Sequence, residues 1–477
     1  MSDPFPAPPA TQRGRLTATA AAVRERRVSA EELVRESLRR IDAAGEINAV
    51  VALRPDGALD DARALDARVA RGEDPGPLAG LPLLVKDIED AAGLRTTFGS
   101  LLFADAPPAE VDGVAAGRLR GAGAILVGKT NTPEFAMSGH TGNRLFGVTR
   151  NPWAPDWSPG GSSGGSGAAL AAGLAAIATA TDVGGSIRIP AALCGLAGLK
   201  PSAGRIGRDP ILATPDMNHL GPLATAVADV RLLLGILTGP VAGDPFSLPP
   251  MPPGPDRVPR RVLAADRFVA RGPLPPEIDR LFVAALEAVE RDLRVAVERI
   301  DPASILPSGY DPHDWYRIIV TDQAAILGRE TFEREADRFS PVVREDLAAG
   351  LAMPLDEYPG ARLRRYRYTR DLDALLGPDT VLLTPLLTVE GWTPEGDLPG
   401  STGGDLPWWV FNTDLLNFSG HPAASLPAGR GPHGVPFGLQ VVGPRFGDGV
   451  VLGFAAAWEA ACPWPLAADG YVPFGVD

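Results

Sequence analysis

SPGGSSGGSGAALAAGLAAIATATDVGGSIR, residues 158–188, carries two glycine-flanked serines, Ser162 in GGSSGG and Ser186 in VGGSIR. Between the two sites, apart from Asp182, lie small and apolar residues. Residues 165–172 suit a short helix of closely packed small side chains. The apolar run 174–181 reads as a buried strand. Gly184 and Gly185 permit backbone shapes that other residues resist, and Pro190 suits the first turn of a helix. A strand, a Gly-Gly turn, a serine and a helix start would expose the Ser186 hydroxyl. The same turn would converge several backbone N–H groups on one small volume, which is how an oxyanion hole is built. Taken locally, the pattern fits equally well a Gly/Ser-rich loop without chemistry or an anion-binding turn.

The rest of the composition narrows the class. With 477 residues, 45% hydrophobic and 22% charged, the chain has the balance of a soluble globular protein and ample length for a core. A net charge of −13 argues against a nucleic-acid partner or an anionic membrane surface. His140, His219, His313, His421 and His433 are scattered without metal-ligand spacing. Cys194 and Cys462 make neither a disulfide framework nor a zinc site, so no metal or cofactor is expected and a reducing, cytoplasmic setting is. Cys194 itself reads as a small buried apolar residue. No uninterrupted apolar run reaches roughly 18 residues, so no membrane helix is expected. The N-terminus lacks a signal-peptide core. Residues 1–15 are Pro-rich and expected to be disordered, with one domain over 16–477.

Outward from the central stretch, helices are expected within 16–44, where Ser29 and Glu32 have capping-box spacing, and over 57–71, 114–120, 277–293 and 446–461. Much of 306–375 is expected to be helical. Strands are expected over 81–85, 124–127, 198–202, 262–265, 295–300, 380–384, 424–427 and 438–442. Residues 240–260 are proline-dense and read as a linker or surface excursion. Residues 389–409 form a Gly-, Pro- and Trp-rich loop of the kind that shapes binding sites.

Lys86 stands at the end of the 81–85 strand. It reads either as a solvated surface charge or as a buried lysine of lowered pKa able to act as a base. Two motifs are decoys. Residues 123–130, GAILVGKT, fit the phosphate-loop spacing, but the four residues between the glycines are the strand itself. Gly160-Gly161-Ser162-Ser163-Gly164 fits the G-x-S-x-G elbow, but a triple-proline loop precedes it where a strand is required. That elbow would also need a downstream histidine, for which His421 and His433 are the candidates.

LPLLVKD, GKTNTPEF, TRNPW and above all PGGSSGGSGAALAAG…TDVGGSIRIPAALCGLAGLKPS, with GPLATAVAD and FGLQVVGP later, resemble the amidase signature family of serine amidohydrolases. The second serine follows the first by 24 residues. The resemblance spans nearly the whole chain and is weakest over about 240–397, read as a variable, substrate-shaping region. It implies an α/β fold, a single large domain whose mixed β-sheet is covered by helices on both faces. It also implies a Ser–cis-Ser–Lys triad: Ser186 the nucleophile, Ser162 the bridging residue, Lys86 the base. Backbone N–H groups of Val183, Gly184, Gly185 and Ser186 would hold the oxyanion. Ser163 would hydrogen-bond within the site or simply shape the loop. Asp182 and Arg188 would hold the loop, with a substrate carboxylate on Arg188 as the alternative.

The activity implied is hydrolysis of a small or medium carboxamide through a serine acyl-enzyme. The rival reading is the glutamine-hydrolysing subunit of a tRNA-dependent amidotransferase. That subunit usually has Gln after the Arg of GGSIR, where this chain has Ile189. A non-catalytic binding protein on the same fold is the third. The partners expected are a small-molecule amide, no nucleic acid and no membrane, with a homodimer admitted. Candidate substrate contacts are Met137, Ser138 and Gly139. An aromatic wall from Trp315, Tyr316, Trp392, Trp408, Trp409 and Phe411 is set against plain core packing of the same rings. Such a wall would favour apolar or aromatic acyl groups.

Overall fold

The computed structural model of the chain describes residues 14–208, 216–252, 254, 258–268, 274–399 and 412–476. Local sequence signals set many element boundaries. Ser29 Oγ accepts from the Glu32 N–H, and the Glu32 carboxylate accepts from the Ser29 N–H, so the expected capping box opens helix Ala30–Ala43. Proline occupies the first turn of helices Pro55–Ala70, Pro276–Ala288 and Pro341–Leu351, where its missing N–H costs nothing.

The strands form two larger mixed sheets. One has four strands in the order Val50–Leu53, Ile125–Thr130, Pro82–Lys86, Ile177–Ala178; the last three run parallel. The other has seven, in the order Leu223–Ala224, Ala197–Lys200, Ala423–Arg430, Pro436–Val442, Thr380–Pro385, Arg261–Ala264, Val297–Arg299. The expected α/β domain of mixed sheet flanked by helices is therefore present, with its hydrogen bonding divided between two sheets.

The expected continuous strand 174–181 is broken. Gly173, at φ +61°, ends helix Gly164–Ala171, and the Leu174 N–H returns to the Ala169 carbonyl. Ile177–Ala178 then joins the four-stranded sheet, while Thr181–Asp182 pairs with His219–Leu220. Thr179 sits between them with its hydroxyl turned to the Lys86 N–H. The stretch 306–375 resolves into helices His313–Leu327, Arg329–Arg334, Pro341–Leu351 and Glu357–Leu375. Lys129 of the rejected phosphate loop is buried in its strand, bonded to the Glu89 and Arg95 carbonyls and 3.1 Å from Asp87.

Helix Gly164–Ala171 is buried on every side, which is why its sequence is Gly, Ala and Ser with a single Leu. A Cβ on Gly165 would stand 2.5 Å from both the N and the O of Asn131. The helix therefore lies directly on backbone that no rotamer change can move. Gly165→Ala is expected to destabilise the fold by about 1–3 kcal/mol, the range for overpacking a core, read as a lower urea midpoint at unchanged slope.

Candidate active site

Lys86 is the last residue of its strand and is fully buried. Its Nζ lies 2.7 Å from Ser162 Oγ and 2.9 Å from Thr181 Oγ1. Burial pushes its pKa down from 10.5 to about 7, against the opposing charges of Glu89 and Asp182. The surface-charge reading of Lys86 is thereby excluded. Neutral, the amine can donate to Thr181 while accepting from Ser162.

Ser162 follows a cis Gly161–Ser162 peptide bond and is itself buried. The Ser163 N–H donates to the Ser186 carbonyl at 3.3 Å, and its hydroxyl contacts the Thr181 backbone, so Ser163 ties the two serine loops together. Ser186 is partly exposed and lines the same cavity as Ser162. Among the described residues, no hydrogen bond joins the Ser186 and Ser162 hydroxyls.

The loop 183–186 is held by its carbonyls. Trp315 Nε1 donates to Val183 O at 2.9 Å, Thr413 Oγ1 to Gly184 O at 2.5 Å, and the Ile189 N–H to Gly185 O at 2.7 Å. In a trans peptide the N–H points opposite the C=O. The Val183 and Gly185 carbonyl contacts therefore turn the Gly184 and Ser186 N–H groups the other way. Gly185 departs from the expected oxyanion set: its N–H donates to Asp182 Oδ1 at 2.7 Å, so it serves the loop. Val183, Gly184 and Ser186 line the cavity. Both glycines are sterically required. A Cβ on Gly184 would meet the Trp315 ring at 2.5 Å, and Gly185 has φ +125°.

Arg188 is fully buried and donates to Asp182, Thr413 O, Asn417 and Gln440 at 2.7–3.1 Å. It does not line the cavity and has no surface to offer a substrate carboxylate, so that alternative is overturned and the structural reading of Arg188 stands. Burial alone would raise the Asp182 pKa, but Arg188 and Asn417 outweigh it and hold the carboxyl well below the usual range.

The cavity and the solvent at its mouth together span about 1040 Å³ of empty space. Met137, Ser138 and Gly139 line it, as do Trp315 and Tyr316. Trp392 instead packs with Trp157 and Leu193 in a separate apolar cluster. Trp408, Trp409 and Phe411 lie outside the described residues. Sequence reading missed Phe98, Phe135, Asn218 and Gln323 on the cavity wall. The 3.6-residue spacing of Tyr316, Ile319, Val320 and Gln323 was the available signal for the last of these. Cys194 is buried, and burial pushes its thiol well up. Neither His421 nor His433 is among the described lining residues. Among the described residues there is no cluster able to hold a metal ion and no helix long and apolar enough to cross a membrane.

The burial of Lys86 has a thermodynamic signature apart from any reaction. The unfolded chain binds more protons than the folded one between about pH 7 and roughly 10.4, so the cost of burying the amine is full below that window and gone above it. The stability of Lys86→Met relative to the unmodified protein is therefore expected to be greatest near pH 6. The difference should shrink as pH rises towards 10, measured by urea unfolding across that range.

The sequence matches the Amidase family over residues 32–452. It is 34% identical to an acylamidase of Rhodococcus erythropolis, over 94% of this chain and 95% of that protein. It is also 34% identical to the A subunit of a glutamyl-tRNA(Gln) amidotransferase from Chloroflexus aurantiacus, over 94% and 96%. A solved bacterial aryl acylamidase of the amidase signature enzymes superposes with a TM-score of 0.84 at 29% identity, covering 94% of this chain and 96% of that one. With this fold and a matched span from residue 32 to residue 452, the chain belongs to the Amidase family.

Proposed function

We propose that this protein hydrolyses the C–N bond of a neutral carboxamide through an ester on Ser186. The observation that carries the reading is a buried amine of pKa about 7, Lys86, 2.7 Å from the hydroxyl of Ser162 on the wall that also holds Ser186. Neutral Lys86 accepts the Ser162 proton while Ser162 accepts that of Ser186, and Ser186 Oγ bonds to the carboxamide carbon. A rotation of the Ser186 side chain closes the relay. The Val183, Gly184 and Ser186 N–H groups receive the negative charge that develops on the carbonyl oxygen. The proton returns by Ser162 to the nitrogen as the C–N bond breaks. Water then cleaves the ester by the same relay.

The substrate range follows from the wall. Phe98, Phe135, Trp315, Ile319 and Val320 present apolar surface, and Ile189 adds to it. No Lys, Arg or His is among the described lining residues. That wall favours apolar or aromatic amides and disfavours glutamine, whose α-carboxylate would find no cation there. We assign the shaping of the substrate to the region 240–397, which supplies Trp315 through Asp346 of the wall.

An aryl amide such as acetanilide or benzamide is expected to be turned over at higher kcat/KM than glutamine, with aniline or ammonia release as the assay. Faster release from glutamine would favour the amidotransferase reading. Ser186→Ala is expected to lose about 10⁴-fold or more in kcat while unfolding at the same urea concentration. Activity retained in that variant would move the nucleophile elsewhere. Lys86→Ala is expected to lose about 10²–10⁴-fold. In the unmodified enzyme, kcat/KM should rise with pH through about 7 as the amine loses its proton. In Lys86→Ala that rise should be absent.

A further inference from the structure

Gln323 is 1% exposed and lines the cavity, yet among the described residues neither its Oε1 nor its Nε2 has a hydrogen-bond partner. A buried carboxamide with both ends unmet is costly, and native proteins leave few such groups without a reason. Its position on helix His313–Leu327 supplies one. Tyr316, Ile319, Val320 and Gln323 follow helical spacing and all line the cavity, so one face of the helix forms a stripe along the wall. The start of that stripe is fixed to the serine loop: Trp315 donates to Val183 O and packs against Gly184. At about 1.5 Å per residue, Gln323 lies about 12 Å further along the helix axis. Between the two ends the stripe is apolar.

The wall therefore has reacting groups at one end, apolar surface in the middle and a neutral donor–acceptor pair at the other. Tyr316 gives its hydroxyl to Asp346 at 2.7 Å. Asp346 also lines the cavity, and no described lining residue is a cation, so an anionic group near Gln323 would have no counter-charge.

We propose that Gln323 is a specificity-determining residue that reads a neutral group with a hydrogen-bond donor and acceptor side by side, a primary carboxamide or a lactam, at the end of the substrate remote from the scissile bond. The assignment rests on the reading of this cavity as the amide-hydrolysing site. A side-chain carboxamide meets such a group at two points. A substrate with a methyl in its place would leave the buried amide unpaired, and discrimination of that kind is large.

The test uses two matched pairs. Octanamide against octanediamide places the second carboxamide on the acyl side, with ammonia release as the assay. N-hexylacetamide against N-(5-carbamoylpentyl)acetamide places it on the leaving-group side, with release of the alkylamine as the assay. The unmodified enzyme is expected to prefer the carboxamide-bearing member of one pair by at least about tenfold in kcat/KM. Gln323→Leu should bring that ratio to within about threefold while octanamide turnover persists. It should also leave the melting temperature unchanged or raised, since the variant removes an unpaired polar group. A purely structural Gln323 would lower the melting temperature and leave the ratio alone. An unchanged ratio in the variant, or no preference in either pair, overturns the proposal. If neither pair is hydrolysed, the aryl amides decide the hydrolase reading, and calorimetric titration of Ser186→Ala decides Gln323 separately. Tighter binding of octanediamide than octanamide, lost in Ser186→Ala/Gln323→Leu, supports the assignment; equal binding in Ser186→Ala overturns it.

Discussion

The buried guanidinium of Arg188 is the interaction on which the site depends. Taking an ion pair out of water costs several kcal/mol per ion, and mutual attraction repays this only when further hydrogen bonds accompany it. Here they do. Arg188 reaches Asp182 across the loop, Thr413 O and Asn417 by helix Asp414–Ser419, and Gln440 in strand Pro436–Val442. The loop between residues 182 and 188 hangs from this network. The Asp182 carboxylate also takes the N–H groups of Gly185 and Ile187. The pair therefore matters less for net stability than for direction. It engages the amides of Gly185 and Ile187 and so fixes the turn on which Gly184 and Ser186 line the cavity.

Lys86 depends on the opposite condition, a burial cost that the charges of Glu89 and Asp182 offset only in part. Three buried lysines make the contrast. Burial lowers the Lys129 pKa as well, but the Asp87 carboxylate at 3.1 Å and two carbonyls oppose it at direct contact. Among the described residues, Lys86 Nζ bonds to the hydroxyls of Ser162 and Thr181. A pKa brought down from 10.5 to about 7 corresponds to roughly 5 kcal/mol against the charged form, which makes the free base abundant near neutrality. Lys200 is brought to about 7 as well, by burial and by the neighbouring Arg188, but it donates to the Pro201 carbonyl and does not line the cavity. Depressed basicity alone therefore does not mark a base. The amine must also meet a hydroxyl on the wall of a space that a substrate can enter.

What could be read from the sequence followed its range of interaction. Ser29 and Glu32, the prolines opening helices, and the short apolar runs before Lys86 and Thr130 are local signals, and the elements they mark lie within a few residues of expectation. The Gly-Gly turn before Ser186 was legible because only glycine fits against Trp315 and at φ +125°. Distant partners were not. Nothing local to 174–181 says that Thr179 will turn its hydroxyl to the Lys86 amide and divide the strand. Nothing near Gly185 says that Asp182 will capture its N–H, nor near Arg188 that Asn417 and Gln440 will complete its shell. Trp315 and Trp392 look alike in sequence, yet one lines the cavity and the other fills a core. That difference is set by packing between segments far apart in the chain.

The same separation bears on how such a site changes its substrate. Lys86, Ser162 and Ser186 are held by strand ends and by loops around one buried Gly/Ala helix, where even a methyl group meets backbone. That frame tolerates little alteration. Six residues of the wall, Trp315, Tyr316, Ile319, Val320, Gln323 and Asp346, come from two helices that pack on one another and reach the frame through Phe135 and its apolar neighbours. Apolar contacts of that kind accept exchanges of similar volume at modest cost, whereas a turn that requires glycine does not. Substitution along the face of helix His313–Leu327 beyond Trp315 can therefore alter what the cavity admits while Lys86, Ser162 and Ser186 keep their arrangement.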